Sequence, residues 1–303
     1  MRNERGEVLI CQRPAHKIYP GEWEFPGGKV EAGETAEAAL ARELYEELGI
    51  RVTTARPLIR LRHVYPELSV DLDTWLVTGY TGTPQSVEHP ASAWVAPLEM
   101  PRWRLLAADA PIVNALRLPA QLVFSPPGLP LPRKEAAGPH LVRLRLPDVD
   151  DARYHEQARS LDAATLILDR DPVRTLELGA AGFHATRKRL HALGERPVPG
   201  ACWFGASCHD ATDLARAREL GADYAVLGPV RATATHSGAV PLGWSRFAEL
   251  AFGAGLPVYA IGGLSPRDLP ECWRHGAQGV AGISAFWAPT GAAADPSVRP
   301  AAR

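Results

Sequence analysis

The chain has 303 residues, a length that fits about two domains. Its 33 Lys and Arg against 34 Asp and Glu leave a net charge of −1. No global basic field therefore points to a nucleic acid polymer as partner, and any nucleotide must be held by a local site. The four cysteines (Cys11, Cys202, Cys208, Cys272) form no CxxC pair, and neither a signal peptide nor an apolar run of membrane-spanning length is apparent. A reducing cytoplasm and no membrane partner are expected.

Residues 6–12 read as a strand after a turn at Asn3–Gly6, and Pro26-Gly27-Gly28 forces a second turn after WEF. The stretch from Gly28 to Ile50 follows. A helix over Ala36–Leu48, at about 100° per residue, puts Glu43, Glu46 and Glu47 in one sector with Ala36 and Ala39. Leu40, Leu44 and Leu48 make the adjoining apolar stripe. Thr35 is the expected N-cap and Gly49 the C′ residue. Carboxylates this close repel one another unless a cation neutralises them, and a hard divalent ion such as Mg²⁺ takes oxygen ligands. Further strands are expected at 57–64, 70–80 and 93–96, with a helix at 109–117.

Residues 119–140 carry six prolines and read as a linker, with Gln121–Ser125 as a possible strand. Beyond them, strands at 141–146, 165–169, 181–184, 201–206, 223–227, 257–261 and 279–283 alternate with helical stretches. Those helices are expected to end at Gly179, Gly194, Gly221, Gly255 and Gly276, and ELGA recurs at 177–180 and 219–222. This alternation means βαβ units and a parallel sheet. Counting 121–125 gives eight strands, hence a TIM-type barrel whose first helix is nearly deleted. The Ala/Pro-rich tail at 288–303 is expected to be disordered.

The stretch G-x5-E-x7-R-E-U-x-E-E-x-G-U, with U apolar, is filled by Gly28, Glu34, Arg42, Glu43, Leu44, Glu46, Glu47, Gly49 and Ile50. It resembles the Nudix box of the pyrophosphohydrolases. RNERGE, EFPGGKVEAGET and ADAPIV, spread over residues 2–118, are most similar to the MutT-type enzymes, which hydrolyse oxidised guanine nucleotides such as 8-oxo-dGTP. The resemblance implies an α+β Nudix sandwich over 1–118 and release of pyrophosphate and a nucleoside monophosphate. It implies Mg²⁺, with Mn²⁺ as substitute, on Glu43, Glu46, Glu47 and Glu88, and Arg42 pairing with Glu46 to orient the cluster. Arg13 matches a phosphate contact, Phe25 the base pocket and Asp109 the residue that reads the purine edge. Taken alone, these three are a surface charge, a core residue and a helix N-cap. The resemblance also implies a strand ahead of Arg2-Asn3-Glu4, where this sequence begins. Its loss is expected to expose a strand edge.

In the second region, GADYAVLGPVRATATHSGAVPLG, PVYAIGGLSPRDL and GAQGVAGISAFW resemble thiamine phosphate synthase and its TenI-type relatives. The resemblance spans 121–287, with the barrel proper at 141–287. It implies a phosphorylated thiazole or pyrimidine ligand, with phosphate on Gly262, Gly263, Ile283 and Ser284 and a pyrophosphate leaving group on Thr233 and Thr235. Asp169 matches a metal-binding Asp, and His209 lies near a tautomerase histidine. The pattern departs at Arg143 and Pro147, where Gln and Lys are usual. It departs again at Thr235-His236, usually Thr-Lys, and after His184, where ATRKR replaces the second metal Asp. Expulsion of pyrophosphate needs such groups. Nudix hydrolysis is therefore the leading expectation. Synthase or tautomerase chemistry in the barrel, or a non-catalytic module binding a phosphorylated ligand, are the alternatives.

Overall fold

The computed structural model describes residues 1–86, 88–126, 140–233, 238 and 240–287. Thr235, His236, most of the linker, the corner assigned to the first barrel helix and the tail at 288–303 lie outside the described residues.

The helix α1 spans Ala36–Leu48, as its caps predict: Thr35 accepts from the Ala38 N–H, and Gly49 turns left-handed at φ 70° with its N–H on the Leu44 and Tyr45 carbonyls. It packs through Leu44 and Leu48, with Leu9 and Val77, on one face of the sheet formed by the first half of the chain. Helix α2 (Ala110–Arg117) covers the other face through Ile112, Val113 and Leu116. Strand β1 (Val8–Gln12) lies between β2 (Trp23–Glu24) and β5 (Ser92–Val95), and β3 (Arg51–Val64) pairs with β4 (Ser69–Thr81) as a long hairpin. The strand expected at 57–64 thus begins six residues earlier. Register shifts around Val52–Ala55 and Pro57–Ile59 accommodate Pro57 within the strand.

The two sheets meet at the start of the chain. Arg2 N donates to Val77 O at 2.9 Å, Leu9 N donates to Met1 O at 3.1 Å, and Arg2 bridges Val8 antiparallel. A cleft between β1 and β4 is bordered by Val8, Trp75 and Val77.

Eight parallel strands close the second region into a barrel in the order β6 (Gln121–Phe124), β7 (His140–Arg143), β8 (Leu166–Leu168), β9 (Gly182–Ala185), β10 (Trp203–Cys208), β11 (Tyr224–Leu227), β12 (Val258–Ile261) and β13 (Gly279–Gly282). The TIM-type fold expected from the alternation is present. Gly179, Gly221, Gly255 and Gly276 are left-handed as expected, but Gly194 is not. Its helix α5 (Arg187–Ala192) ends instead at an extended Leu193. The remaining helices are α3 (Asp151–Arg159), α4 (Pro172–Glu177), α6 (Ala211–Glu219), α7 (Gly243–Ala254), α8 (Leu269–Arg274) and α9 (Ser284–Trp287).

The two regions dock. Helices α7 and α8 pack on β3, with the Arg56 guanidinium 4.2 Å from the Trp273 ring and Arg60 5.2 Å from Phe252. Buried Gln278, just before β13, donates to the Ala115 and Leu118 carbonyls at the end of α2, both at 3.0 Å. Arg117 stacks 4.8 Å from Trp203 at the start of β10. These barrel residues at strand beginnings place the α2 end at the N-terminal rim, opposite the barrel mouth. Among the described residues no helix is long and apolar enough to cross a membrane.

Candidate functional site

A cavity of about 930 Å³ runs from the β1–β4 cleft to the Pro26-Gly27-Gly28 turn. Helix α1 lines it with Ala36, Ala39, Leu40 and Leu44, and its glutamates lie just behind the Gly27-Gly28 turn that forms part of the wall. Glu47 is buried, 5% exposed, and accepts the Gly27 N–H at 3.0 Å through Oε2. Burial pushes its carboxyl up to about 7, with the charges of Glu43 and Glu88 adding to the rise against the Gly27 N–H and Lys17. Glu43 lies beside Gly28, and Glu46 is half exposed. Arg42 donates to Glu43 at 2.9 Å and to Glu46 at 3.2 Å. The expected Arg42–Glu46 pair is therefore present, but the fuller contact is elsewhere: Arg42 holds Glu34 through two donors at 3.0 and 3.1 Å and also reaches Lys29 O. These bonds to Arg42 hold the Glu34 carboxyl below the usual range.

Gly28 is required for space rather than conformation. Its φ is not left-handed, and a Cβ there would overlap the Glu43 carboxylate. Gly28→Ala is expected to displace Glu43, cutting kcat about 100-fold while leaving Tm within ~2 °C, as steady-state kinetics and calorimetry will read.

Opposite the glutamates, Arg13 is ion-paired to Glu24 and donates to Ile18 O at 2.7 Å. Phe25 packs on the α2-side core and lines the cavity. Asp109 occupies the N-cap position of α2, yet its side chain makes no capping bond. It is 6% exposed, lines the cavity and leaves Oδ2 without a partner. Burial drives its carboxyl up to about 8, with Glu24 adding and Arg13 opposing. The Tyr65 hydroxyl accepts the neighbouring Ala108 N–H at 3.3 Å, and the Tyr65 and Tyr19 rings lie 5.5 Å apart beside it.

Glu24, His89 and the two tyrosines were missed by the sequence reading. His89 is 7% exposed and sits 3.8 Å from Glu24 and 3.9 Å from Glu47, between the two walls. Burial lowers its pKa, so it stands as a neutral imidazole. Glu88, the exposed residue before it, lies on the same loop. Hard carboxylate oxygens carrying accumulated negative charge fit a divalent cation, although among the described residues no three His, Cys, Asp or Glu side chains already stand in a metal-ligating arrangement.

A second cavity of about 470 Å³ opens at the C-terminal ends of the barrel strands. It brings together His209, Thr233, Gly262, Gly263, Ile283 and Ser284. His209 Nδ1 contacts Gly228 O at 2.7 Å, and its N–H donates to buried Asp213 at 2.8 Å. Asp169 does not line this cavity. Its Oδ2 holds Arg143 at 3.0 Å, and its Oδ1 accepts the Tyr154 hydroxyl at 3.1 Å. His184 is buried between Ser207 Oγ at 2.9 Å and the Tyr224 hydroxyl at 3.3 Å, held neutral by burial and by Arg143.

Residues 1–116 match the family model of the NUDIX domain, and residues 133–286 match that of thiamine monophosphate synthase. The CTP pyrophosphohydrolase of Escherichia coli (strain K12) is 40% identical over 110 residues, 36% of this chain and 82% of that protein. The 8-oxo-dGTP diphosphatase of the same organism is 33% identical over 117 residues, 39% of this chain and 91% of that protein. A putative thiamine-phosphate synthase 2 of Aquifex aeolicus (strain VF5) is 30% identical over 156 residues, 49% of this chain and 83% of that protein. The chain belongs to the Nudix family through its first region and to the thiamine monophosphate synthase family through its second.

Proposed function

We propose that the first region is a divalent-cation-dependent pyrophosphohydrolase of an 8-oxo-dGTP-type nucleotide, yielding the nucleoside monophosphate and pyrophosphate. The observation that carries this reading is the cavity walled on one side by the Gly27-Gly28 turn, which is seated directly on Glu43 and Glu47, and on another by the unpartnered Asp109 oxygen. Glu43, Glu46, Glu47 and Glu88 would hold the cation, Mg²⁺ or in its place Mn²⁺. When bound, such a cation neutralises phosphate oxygens and makes water more acidic. Glu47 Oε1, the carboxylate oxygen not engaged by the Gly27 N–H, accepts the proton of the attacking water. Arg42 holds Glu43 and Glu34 in place. Arg13 offers charge to the phosphates once it exchanges Glu24 for them. Phe25, Tyr19 and Tyr65 provide faces for the base, and Asp109 meets its edge.

A second reading, with CTP as substrate, is favoured by the 40% identity to a CTP pyrophosphohydrolase. Steady-state hydrolysis of 8-oxo-dGTP, dGTP and CTP with Mg²⁺ separates the two. A preference for the oxidised purine nucleotide of at least about tenfold in kcat/KM is expected. Faster turnover of CTP would transfer the assignment to the pyrimidine, and silence on all three would end the hydrolase reading. For the barrel we propose a phosphorylated ligand at the mouth, bordered by Gly262, Gly263 and Ser284.

A further inference from the structure

Thiamine monophosphate synthase relatives imply a divalent cation at Asp169, and the residues here do not fit one. Both carboxylate oxygens of Asp169 are engaged, one by Tyr154 and one by Arg143. A cation would have to stand about 2 Å from such an oxygen, where the guanidinium already lies. The segment after β9, Thr186–Arg189, offers Arg187, Lys188 and Arg189 in place of a second acid.

The same geometry leaves positive charge facing the cavity. Arg143 is 3% exposed and stacks 4.7 Å from the Phe124 ring. It gives Nη1 to Ser207 Oγ at 3.3 Å and keeps Nε without a partner. A buried, unsatisfied donor on a charged group costs free energy unless a ligand completes it. Arg145 also lines the mouth, as does Arg187, whose charge is already met by Asp210 at 2.8 Å and Asp213 at 2.9 Å. The one acid among the lining residues, Asp268, is already taken by Arg231 at 2.8 Å and by Ser265 N at 2.8 Å. The Gly262–Gly263 backbone, left-handed at φ 104° and 64°, borders the same space, where a side chain on either would run into Pro229 or Ala232.

We propose that the barrel mouth is a metal-free anion site, in which the Arg143 guanidinium stands where the family's cation would, and that it takes a ligand carrying a single phosphate monoester. With Arg143 shared with Asp169 and Arg187 held by Asp210 and Asp213, Arg145 is left to meet the added charge of a pyrophosphate group, which is more than it can neutralise. Release of pyrophosphate is therefore outside its chemistry. The inference is independent of nucleotide hydrolysis in the first region.

Titration calorimetry of the full-length protein with inorganic phosphate, first in EDTA and then in Mg²⁺, tests it. One binding event is expected in EDTA, changed less than about twofold by Mg²⁺ and weakened about tenfold or more in Arg143→Gln. Arg145→Gln, at a half-buried position less able to disturb the fold, is expected to weaken the same event about threefold. Binding that requires Mg²⁺ would overturn the proposal, as would binding in EDTA that is unchanged in both variants. Absence of binding under both conditions would overturn it as well.

Discussion

Glu47→Gln is expected to lower kcat for nucleotide hydrolysis about a thousandfold and to leave the fold intact. The side-chain amide can still accept the Gly27 N–H through its oxygen, so the local hydrogen bond at 3.0 Å survives the change. Gone are the proton acceptor and one negative ligand for a cation. Stability is expected to hold or rise. Burial makes the ionised carboxylate unfavourable, raising the folded-state pKa from the ordinary 4.5 to about 7. Stability tied to this group is complete below pH ~4.5 and is lost as pH rises through about 7. The glutamine carries no such loss. In cation-free buffer at pH 8, calorimetry should therefore find the variant's Tm equal to or above that of the wild type. A fall of several degrees, with activity reduced less than about tenfold, would remove Glu47 from the proton-accepting role.

This division between activity and stability follows from how the site is built. Arg42 gathers Glu34, Glu43 and Glu46, and the Pro26-Gly27-Gly28 turn presses against Glu43 and Glu47. Like charges are kept close by one arginine and one backbone N–H, an arrangement costly to the apo fold that a cation would relieve.

The α1 helix was legible to its last residue because both ends carry local signals, Thr35 and Gly49, and the spacing of its glutamates lies within one element. The Arg42–Glu34 contact was less so. Helical spacing favours Glu46, whereas Glu34 comes from the preceding loop, whose path no periodicity reveals. Glu24 and His89 were invisible for a related reason. Each is an isolated polar residue outside α1, and the cavity walls that bring them toward Glu47 are joined by long-range packing. The alternation of strands and glycine-ended helices announced the barrel. That Arg143 meets Asp169 across adjacent strands was not announced, since that pair forms only once β7 and β8 lie side by side.

The arrangement of the two regions also limits how one could influence the other. Contacts between them run through β3 to α7 and α8, and from the end of α2 to the N-terminal rim of the barrel. The phosphate-type site lies at the opposite end of the barrel strands. One route for coupling runs along α7, which begins at Gly243, held to Val230 by a 3.0 Å hydrogen bond, and reaches Arg60 through Phe252.

Replacing Asp109 is expected to expose the basis of nucleotide selection. With its carboxyl pushed up to about 8, Asp109 is protonated at neutral pH and offers one O–H donor beside one acceptor. That pair complements a base edge presenting N–H next to C=O, as guanine does. Ionisation removes the donor. KM is therefore expected to rise as pH passes 8 in the wild type, and to stay flat in Asp109→Asn, whose amide has a donor and an acceptor at every pH. Asp109→Leu, with neither, should raise KM about 100-fold with kcat little changed. Stability supplies an independent reading. In the folded chain the proton is retained up to about pH 8, whereas the unfolded chain releases it near 3.8. Stability from this group is complete below pH ~4 and declines until pH ~8. Asp109→Asn should match the wild-type Tm at pH 4 and exceed it at pH 8 by about 4 °C or more. A variant whose Tm advantage is the same at both pH values would show that Asp109 is ionised in the fold, and the guanine-edge pairing would then fail with it.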